Sequence, residues 1–340
     1  MRWNKAVPAS AALLVMVVGL AWPSSNSDQL VYRKKYAMGT VFEIAAYGPS
    51  PSRLTRAIGQ AFNEVVRLDN VMSDYIPGSD LSRLNRTAHF RAEAVPADLY
   101  KVIQQSLGYS RLSNGEFDIT VGPLAKLWKA EIRDGIAPSM AKDERLRRCV
   151  GWRKVILAPP DRVEFRSSCM AIDLGAIGKG YAVDRAAAVL RSNGIRRALI
   201  SAGGSTFFAI GSPPGRSGWV VHLRDPSGNL GPEVRLNGNS VSTSEQSHDP
   251  EPGKAPFGHI IDPEKGVPVK TPYSVSVVAP TATASDALST TLLLMGPARG
   301  KILVKKLPHV AAVWISAQGE SELFSTGPRI STNRSAAPEH

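Results

Sequence analysis

A glycine-rich stretch that joins an apolar segment to a predicted helix is the first place in this chain where chemistry is expected. Residues 173–184 have the sequence DLGAIGKGYAVD, with three glycines and Lys179. Such a turn lets a ligand approach the backbone closely, and the free N–H groups of the helix start favour an anion such as a phosphate. The spacing is neither GxGxxG nor GxxxxGK[ST], so neither generic nucleotide motif applies. The stretch predicts an anion site, although the same pattern can also be a packing device alone.

A cluster of oxygen-bearing side chains is the second candidate. Residues 281–290, TATASDALST, predict the start of a helix, which puts Asp286, Ser289 and Thr290 at positions i, i+3 and i+4 on one face. A hard cation such as Mg²⁺ prefers oxygen ligands and usually keeps waters, so a carboxylate, a hydroxyl and one backbone carbonyl would be enough. The alternative is ordinary helix capping by Thr283 or Ser285, with Asp286 in solvent.

A histidine just before a tight turn is the third candidate. Residues 258–266, GHIIDPEKG, predict a strand that ends in a turn, which Asp262 begins and Gly266 completes. Histidine ordinarily titrates near neutrality, so His259 could accept a proton from an attacking hydroxyl. A single histidine on a strand can equally be structural, and the residues alone leave both interpretations open.

Apolar periodicity predicts the elements that must hold these residues. Between residues 54 and 72, apolar side chains recur at three- and four-residue steps, which is typical of a helix packed by one face. Extended structure is predicted for residues 29–47 around a break at Met38-Gly39-Thr40, and a polar, turn-rich segment for residues 72–85. Further helices are predicted at about residues 96–114, 180–192, from 284 and at 299–306, and strands around residues 154–157, 162–165, 170–174, 198, 220, 259 and 274–278 and in two closing segments. With no repeat and no clear linker, the pattern predicts one mixed α/β unit of about 300 residues.

The composition favours a globular protein with a solvated basic surface. The hydrophobic content of 43% is ample for a buried core. The formal net charge is +12, but the lysines and arginines are scattered and no basic stripe is interleaved with aromatic residues. The charge therefore favours acidic partners or a membrane surface, and nucleic acid is not expected as a partner.

Residues 1–28 are predicted to be an export signal. Arg2 and Lys5 precede an apolar run over residues 11–22, and small residues lie near a possible cleavage point. A short uncleaved anchor is the alternative, and no cysteine follows the run for lipid attachment. Export would put Cys149 and Cys169 in an oxidising compartment, where they could pair or stay free, and neither has zinc-ligand spacing. Residues 331–340 are predicted to be a disordered tail.

Taken in order, these motifs resemble those of the ApbE family, the FAD:protein FMN transferases. The resemblance extends from about Tyr36 to Gly327, and the ordered matches are far more specific together than any one of them. The matching segments are Met38-Gly39-Thr40, residues 72–75 (MSDY) with 82–85 (SRLN), residues 117–123 (FDITVGP), residues 173–184, residues 201–205 (SAGGS), residues 242–244 (STS), residues 259–263 (HIIDP) and the Asp286 helix.

The resemblance implies an α+β fold of mixed sheets with packed helices, likened to the tunnelling fold, over residues 29–330. It implies a magnesium-dependent enzyme that moves FMN from its substrate FAD to a Thr or Ser side chain of an acceptor protein and releases AMP. His259 matches the family's proposed base, which Asp262 would orient. Magnesium would be held by the carbonyl of Ala176 with Asp286 and Thr290, while Ser289 stands where some relatives have a carboxylate. The residues expected to contact FAD are Met38, Tyr75, Asp118, Asp173, Lys179 and Ile261.

The resemblance also implies a periplasmic enzyme, held at the inner membrane if the signal stays uncleaved, whose acceptor is a membrane-bound electron-transfer subunit. Residues 245–258 depart from the family pattern, which leaves the identity of the acceptor protein open. The oligomeric state is also open. Two other functions share the same site: an FAD pyrophosphatase, in which water replaces the acceptor hydroxyl, and a non-catalytic periplasmic FAD-binding protein. A dinucleotide-dependent oxidoreductase is disfavoured, because no Rossmann glycine fingerprint with a following acidic residue is present.

Overall fold

Thirteen strands and seven α-helices lie in the part of the chain that the computed structural model describes, which is residues 28–134, 140–246 and 260–327. The strands are β1 (Gln29–Ala37), β2 (Thr40–Gly48), β3 (Glu93–Ala94), β4 (Val155–Ala158), β5 (Arg162–Phe165), β6 (Ala198–Ala202), β7 (Thr206–Ile210), β8 (Trp219–Arg224), β9 (Leu230–Leu236), β10 (Ser240–Ser244), β11 (Tyr273–Ala279), β12 (Ala311–Ser316) and β13 (Ser321–Ser325). The helices are α1 (Pro51–Met72), α2 (Asp80–Thr87), α3 (Ala97–Leu112), α4 (Gly122–Asp134), α5 (Met140–Arg147), α6 (Gly178–Ser192) and α7 (Ala282–Val304).

Eight of these strands form one antiparallel sheet in the order β1-β2-β6-β7-β10-β11-β12-β13. Its central strands are apolar on both faces, which is the pattern of a sheet covered on both sides. In β2, for example, Phe42 and Ile44 pack on one face and Ala45 on the other. The predicted α+β class is confirmed by this combination of sheet and packed helices.

Helices α1, α6 and α7 cover one face of the sheet. The predicted apolar stripe of α1 is confirmed: Leu54, Ile58, Val65 and Leu68 are buried in one hydrophobic cluster with residues of β2 and α6. Burying one such aliphatic side chain contributes roughly 2 kcal/mol to folding. The helix begins where Ser50 accepts the N–H of Arg53 and Pro51 supplies a preset backbone angle. Helix α7 packs in the same way on β11 and β12.

A hairpin of β8 and β9 covers the other face of the sheet. Trp219, Val221 and Leu223 of β8 pack with Val234 and Leu236 of β9 into a cluster that also contains residues of the main sheet. The structure is therefore a sandwich of helices, main sheet and hairpin, and each strand of the main sheet presents alternate side chains to the two sides.

A small sheet in the order β3-β5-β4 lies beside this sandwich and contains the predicted hairpin around residues 159–161. The two cysteines are paired: Cys149 and Cys169 form a disulfide with their Cα atoms 5.3 Å apart. The disulfide joins the segment after α5 to the segment that leads into residues 173–184.

Two carboxylates tie α6 to α7. Asp184 of α6 accepts the N–H groups of Ala282 and Thr283 at the start of α7, each at 2.8 Å. In return, Asp286 of α7 accepts the N–H of Gly180 near the start of α6, also at 2.8 Å. A Cβ on residue 180 would lie 2.2 Å from the carbonyl oxygen of Ala282, so only glycine permits this approach. The glycine-rich turn therefore allows α6 and α7 to pack closely, and it also borders the candidate site.

Some predicted elements differ from the structure. The strand predicted for residues 170–174 is wrong: only Ala171 forms a bridge, to Val121. The side chain of Asn85 donates to the carbonyl of Ile172 at 2.9 Å and accepts its N–H at 2.8 Å, so an amide side chain occupies the place of a neighbouring strand. The segment predicted as turns contains α2, and α4, α5, β3, β7, β9 and β10 were not predicted. The two helices predicted after residue 284 form one helix with a break at Gly296.

The described residues contain no helix that combines the length and the apolarity needed to cross a membrane. The predicted export signal, apart from Asp28, and the predicted tail lie outside the described residues.

The contact between α6 and α7 predicts a large difference between two glycine substitutions. Gly180→Ala should lower the free energy of unfolding by about 2–3 kcal/mol, because the new methyl group meets backbone that cannot move aside. Gly59→Ala in α1 is the matched control, since a Cβ there has nothing within 4 Å, and it should be neutral or stabilise by up to about 1 kcal/mol. Urea denaturation measures both values, and a Gly180→Ala protein as stable as the unaltered one would contradict the close contact.

Candidate functional site

A cavity of about 680 Å³ opens where the start of α6, the first turns of α7 and the ends of several strands converge. A cavity of this size is in the range of small-molecule and cofactor sites. Of the predicted site residues, Tyr75, Asp262 and Ser289 are not part of its lining, and His259 lies outside the described residues. Those that line it are Met38, Asp118, Asp173, Ala176, Lys179, Ile261, Asp286 and Thr290.

Asp286 is a buried carboxylate that lines the cavity. Its Oδ2 accepts the N–H of Gly180, and its Oδ1 lies 3.4 Å from the hydroxyl of Thr206. The ammonium of Lys179 is 4.0 Å from Oδ1 and donates to the carbonyl of Gly175 at 3.2 Å. A carboxylate and a cation therefore stand side by side at the start of α6.

The N–H groups at the start of α6 are largely used within the protein. Gly178 donates to the carbonyl of Leu174 at 2.7 Å, and Gly180 donates to Asp286. Attraction for an anion at this helix end therefore comes from the helix dipole and from Lys179 more than from a row of free donors. Lys129 of α4, which lies 3.4 Å from Asp173, adds a second cation to the cavity wall.

A layer of hydroxyl groups fixes the rotation of α7 against the sheet. Because strand side chains alternate, Ser240, Ser242 and Ser244 of β10 all face α7. The alternating serines are visible in the sequence as SVSTS at residues 240–244. Their role could not be predicted, because the sequence does not show which helix lies opposite this strand. The hydroxyl pairs are Ser240–Ser285 at 2.7 Å, Ser242–Ser285 at 2.8 Å, Ser244–Ser289 at 2.8 Å and Ser244–Thr290 at 3.1 Å.

Ser289 belongs to this hydroxyl layer. It is fully buried, and its hydroxyl also donates to the carbonyl of Asp286 at 2.9 Å. Asp286 and Thr290, in contrast, border the cavity. The structure therefore brings two of the three helix oxygens to the cavity and holds the third between α7 and β10.

Asp69 of α1 positions two of the residues predicted to contact FAD. Its Oδ2 accepts the N–H of Met38 at 2.7 Å, and its Oδ1 accepts the phenol of Tyr75 at 2.8 Å and the hydroxyl of Ser73. Met38 has a φ of 51°, a backbone conformation that side chains other than glycine rarely adopt. Partial burial and the bond to Asp69 raise the pKa of Tyr75 to about 12, so its phenol stays a neutral donor. Asp69 was not predicted from the sequence.

Asp118 is held by three hydrogen bonds. Its carboxylate accepts the N–H and the hydroxyl of Thr120, at 2.8 and 2.6 Å, and the N–H of Trp152 at 2.9 Å. Burial raises the pKa of this carboxyl, while the three donors oppose the shift. The side chain therefore fixes the turn at residues 118–120 on the cavity wall.

Asp173 is fixed in a comparable way at the start of the glycine-rich stretch. Its Oδ1 accepts the N–H of Gly175 at 2.7 Å, and its own N–H donates to the carbonyl of Ile119 at 2.8 Å. The side chain of Asn85 forms hydrogen bonds with both backbone groups of Ile172, the residue before Asp173. The carboxylate consequently has a defined place beside Lys129.

Asp262 organises the turn that follows Ile261. Its Oδ1 accepts the N–H groups of Glu264 and Lys265, each at 3.0 Å, and its Oδ2 accepts the ammonium of Lys265 at 2.8 Å. Burial acts to raise the pKa of this carboxyl, but these bonds outweigh it and the pKa lies below the usual value. The indole of Trp128 anchors the same turn through the carbonyl of Gly266 at 2.9 Å.

The oxygen atoms around Asp286 fit a hard cation. Among the described residues, no group of three or more His, Cys, Asp or Glu side chains could hold a metal by itself. Ala176, Asp286 and Thr290 line the same cavity and carry a carbonyl, a carboxylate and a hydroxyl. Magnesium is commonly bound by one or two carboxylates together with substrate phosphates and water, and this donor set suits that arrangement rather than a closed transition-metal site.

Comparison with known proteins gives one consistent family. Residues 38–314 match the ApbE family. The chain is 30% identical over 305 residues to the FAD:protein FMN transferase of Treponema pallidum (strain Nichols), with 83% of each protein covered. It is 27% identical over 312 residues to that of Escherichia coli (strain K12), with 87% of each covered. The fold matches the flavin transferase ApbE from Vibrio cholerae with a TM-score of 0.77 at 23% identity, over 88% of this chain and 97% of that one.

The contacts of Asp262 predict a pH-dependent contribution to stability. Asp262→Ala should lower the free energy of unfolding at pH 7 by about 1–2 kcal/mol, because two backbone N–H groups lose their acceptor. A depressed folded-state pKa means that this stabilisation is present above the unfolded-state value of about 4 and is lost as the pH falls through the folded-state value.

Urea denaturation at pH 7 and near pH 3 checks this prediction. Glu264→Ala is the control, since Glu264 is exposed; its replacement should change stability little at either pH. An Asp262→Ala deficit that is equally large at both pH values would contradict the role of the ionised carboxylate.

Proposed function

The chain belongs to the ApbE family and is an FAD:protein FMN transferase, and we propose that it attaches FMN to a Thr or Ser hydroxyl with the help of magnesium. The observation that supports the magnesium proposal is that Asp286, Thr290 and Ala176 line the same cavity, where the ammonium of Lys179 lies 4.0 Å from the Asp286 carboxylate. The cation would be held by the Asp286 carboxylate, the Thr290 hydroxyl and the Ala176 carbonyl.

FAD, the substrate, would lie in this cavity. Its diphosphate carries negative charge, which Lys179, Lys129 and the start of α6 favour. The residues proposed to contact the nucleotide are Met38, Tyr75, Asp118, Asp173, Lys179 and Ile261. Several of them are held by other carboxylates, amides or backbone groups, which limits the reorganisation needed when FAD binds.

The reaction is a displacement at the FMN phosphorus. The acceptor hydroxyl forms a new P–O bond, the bond between the two phosphates breaks, and AMP leaves with the bonding electron pair. Magnesium, when bound, would neutralise charge that develops on the phosphate oxygens. Lys179 would stabilise the same charge from the protein side, and Asp286 would orient the ligand set through its bond to Gly180.

We propose His259 as the base that accepts the proton of the acceptor hydroxyl. It lies outside the described residues, and the support for it is the family match and its place one residue before the described cavity residues Ile260 and Ile261. Asp262 was expected to orient His259. Because its carboxylate is engaged by Glu264 and Lys265, we propose that it acts by fixing the turn after Ile261.

We propose that the enzyme works in the periplasm on a membrane-bound electron-transfer subunit. The disulfide between Cys149 and Cys169 supports an oxidising compartment. The basic, apolar layout of residues 1–28 supports export.

Removing the charge of Asp286 should abolish transfer without unfolding the protein. Asp286→Asn keeps an oxygen for the N–H of Gly180 but removes the charge that a cation needs, so transfer should fall by about 100-fold or more while the melting temperature shifts by only a few degrees. Flavinylation is followed as an FMN mass addition to an acceptor Thr, and AMP release is measured in parallel. Chelation with EDTA should stop the unaltered enzyme, and added Mg²⁺ should restore it.

The matched control is Glu320→Gln, which removes a charge from an exposed residue outside the cavity lining. It should leave transfer unchanged. Normal turnover by Asp286→Asn at the same Mg²⁺ concentration would overturn the metal assignment, whereas AMP release without labelling in the unaltered enzyme would favour hydrolysis.

The proposed base predicts a loss of chemistry without a loss of binding. His259→Ala should bind FAD normally but lose transfer by about 100-fold or more, the usual contribution of a general base. Quenching of flavin fluorescence measures binding, and single-turnover labelling measures transfer. His309→Asn, at an exposed histidine outside the cavity lining, is the control. Full transfer by His259→Ala would remove His259 from the mechanism.

A further inference from the structure

Gln246 is a buried polar residue that the FAD and magnesium assignments leave without a role. It lies two residues after the end of β10 and is 4% exposed. It is not part of the cavity lining, whereas the preceding residue, Glu245, is. A buried amide is costly unless hydrogen bonds satisfy it, so the groups that Gln246 binds indicate what it does.

The side-chain amide of Gln246 binds the backbone of a segment that comes later in the chain. Its Oε1 accepts the N–H of Ile260 at 3.1 Å, and its Nε2 donates to the carbonyl of Val269 at 2.7 Å. A longer bond, at 3.3 Å, joins Nε2 to the carbonyl of Ile260. One side chain therefore holds both backbone groups of Ile260 and the carbonyl of Val269.

This amide completes a short ladder of hydrogen bonds. Val269 donates directly to the carbonyl of Ile260 at 2.9 Å, and a hydrogen-bonded antiparallel pair ordinarily makes a second, reciprocal bond. Here the two groups of that second bond, the N–H of Ile260 and the carbonyl of Val269, both bind Gln246. The next pair along, Ile261 and Pro268, forms an isolated bridge. Gln246 therefore closes the end of the turn at which Ile260 and Val269 meet.

The turn that Gln246 closes forms part of the cavity. Ile260, Ile261 and Pro263 line it. Ile260 packs in a hydrophobic cluster with residues of α7, and Ile261 packs in another cluster with residues of α4. The far end of the turn is held separately, by the carboxylate of Asp262. The two ends of the turn are thus fixed by different side chains, and Gln246 fixes the end that begins with Ile260.

Gln246 also ties this turn to the strand that contacts the proposed magnesium site. Ser244, the last residue of β10, contacts the hydroxyl of Thr290 at 3.1 Å. Only Glu245 separates Ser244 from Gln246 in the chain. The contact with Thr290 and the hydrogen bonds to Ile260 are therefore made from one short piece of backbone, which links the place of the turn to that of Thr290.

We propose that Gln246 is a positioning residue for FAD, which holds the turn at residues 260–263 so that Ile261 meets the nucleotide without rearrangement. This proposal rests on the proposed contact between Ile261 and FAD. Gln246 lies outside the cavity lining and acts through the turn that it closes. A site that is fixed before its ligand arrives loses less free energy on binding, so removal of the amide weakens the binding of FAD.

Replacing the amide by an apolar side chain of similar length tests this role. Gln246→Met removes all three hydrogen bonds and should raise the Kd for FAD by about fivefold or more, because the turn is no longer fixed. The Kd is measured without acceptor, by quenching of flavin fluorescence. Val304→Ala is the matched control, since Val304 is fully buried in the same hydrophobic cluster as Ile260 but lies outside the cavity lining. It should lower the melting temperature and leave the Kd for FAD unaltered. An unchanged Kd in Gln246→Met would overturn the proposal.

Gln246→Glu provides a rescue that a loss of stability alone does not predict. The introduced carboxyl faces the carbonyl oxygens of Ile260 and Val269 in a buried place, so it keeps its proton to a higher pH than usual. When protonated, it can accept from Ile260 and donate to Val269 as the amide does. The Kd for FAD, divided by that of the unaltered enzyme, should therefore be about one near pH 5 and about five or more near pH 8. Gln246→Met should show the same ratio at both pH values, and a ratio for Gln246→Glu that is large at both would contradict the role of the hydrogen bonds.

Ile261→Ala separates this proposal from the assignment on which it rests. This variant should weaken FAD binding, and adding Gln246→Met to it should weaken binding by no more than about twofold further, because both changes act through one turn. If the two losses multiply as independent factors, Gln246 does not act through Ile261, and the positioning role is wrong while the FAD site stands. If Ile261→Ala leaves the Kd for FAD unchanged, the contact between Ile261 and FAD is contradicted, and the positioning role falls with it.

Discussion

The site depends on a reciprocal pair of helix caps between α6 and α7. Asp184 of α6 accepts the first N–H groups of α7, and Asp286 of α7 accepts the N–H of Gly180 near the start of α6. Gly180 and Asp286 are 106 residues apart in the chain, and they meet because residue 180 has no side chain to hold the helices apart. The contact between Gly180 and Asp286 therefore packs the two helices together and also places the carboxylate that is proposed to bind the metal.

The same caps shape the electrostatics of the cavity. Each carboxylate lies at a helix start, where the partial positive charge of the helix stabilises it. Burial raises the pKa of Asp184, and its bonds to Thr283 and Ala282 oppose that shift. Because Oδ2 of Asp286 is engaged by Gly180, Oδ1 is the oxygen that lies near Lys179 and Thr206. The cap thus fixes the orientation of the carboxylate before any ligand binds, as supporting hydrogen bonds do in many metal sites.

Elements on both faces of the main sheet line the cavity. On the helix face, α6, α7 and the serine layer of β10 form the wall proposed for phosphate and magnesium. On the other face, the β8–β9 hairpin packs through Trp219 and Val234, and residues 220–224 of β8 line the cavity. The short turn between β6 and β7, residues 203–205, also lines the cavity.

Sequence patterns were enough to identify the elements with strong periodicity, the family and eight residues of the cavity lining. The apolar stripe of α1 can be recognised because burial of one helix face imposes a three- and four-residue repeat. The glycine-rich stretch can be recognised because few residues other than glycine tolerate such turns. Tertiary structure alone decided the rest. Asp69 and Asn85 support the site through contacts with Met38 and Ile172 that no local pattern records, and the serines of β10 acquire a role only because α7 lies opposite. Whether Asp286 faced solvent or a cavity depended on which distant segments pack together, and a one-dimensional pattern does not contain that information.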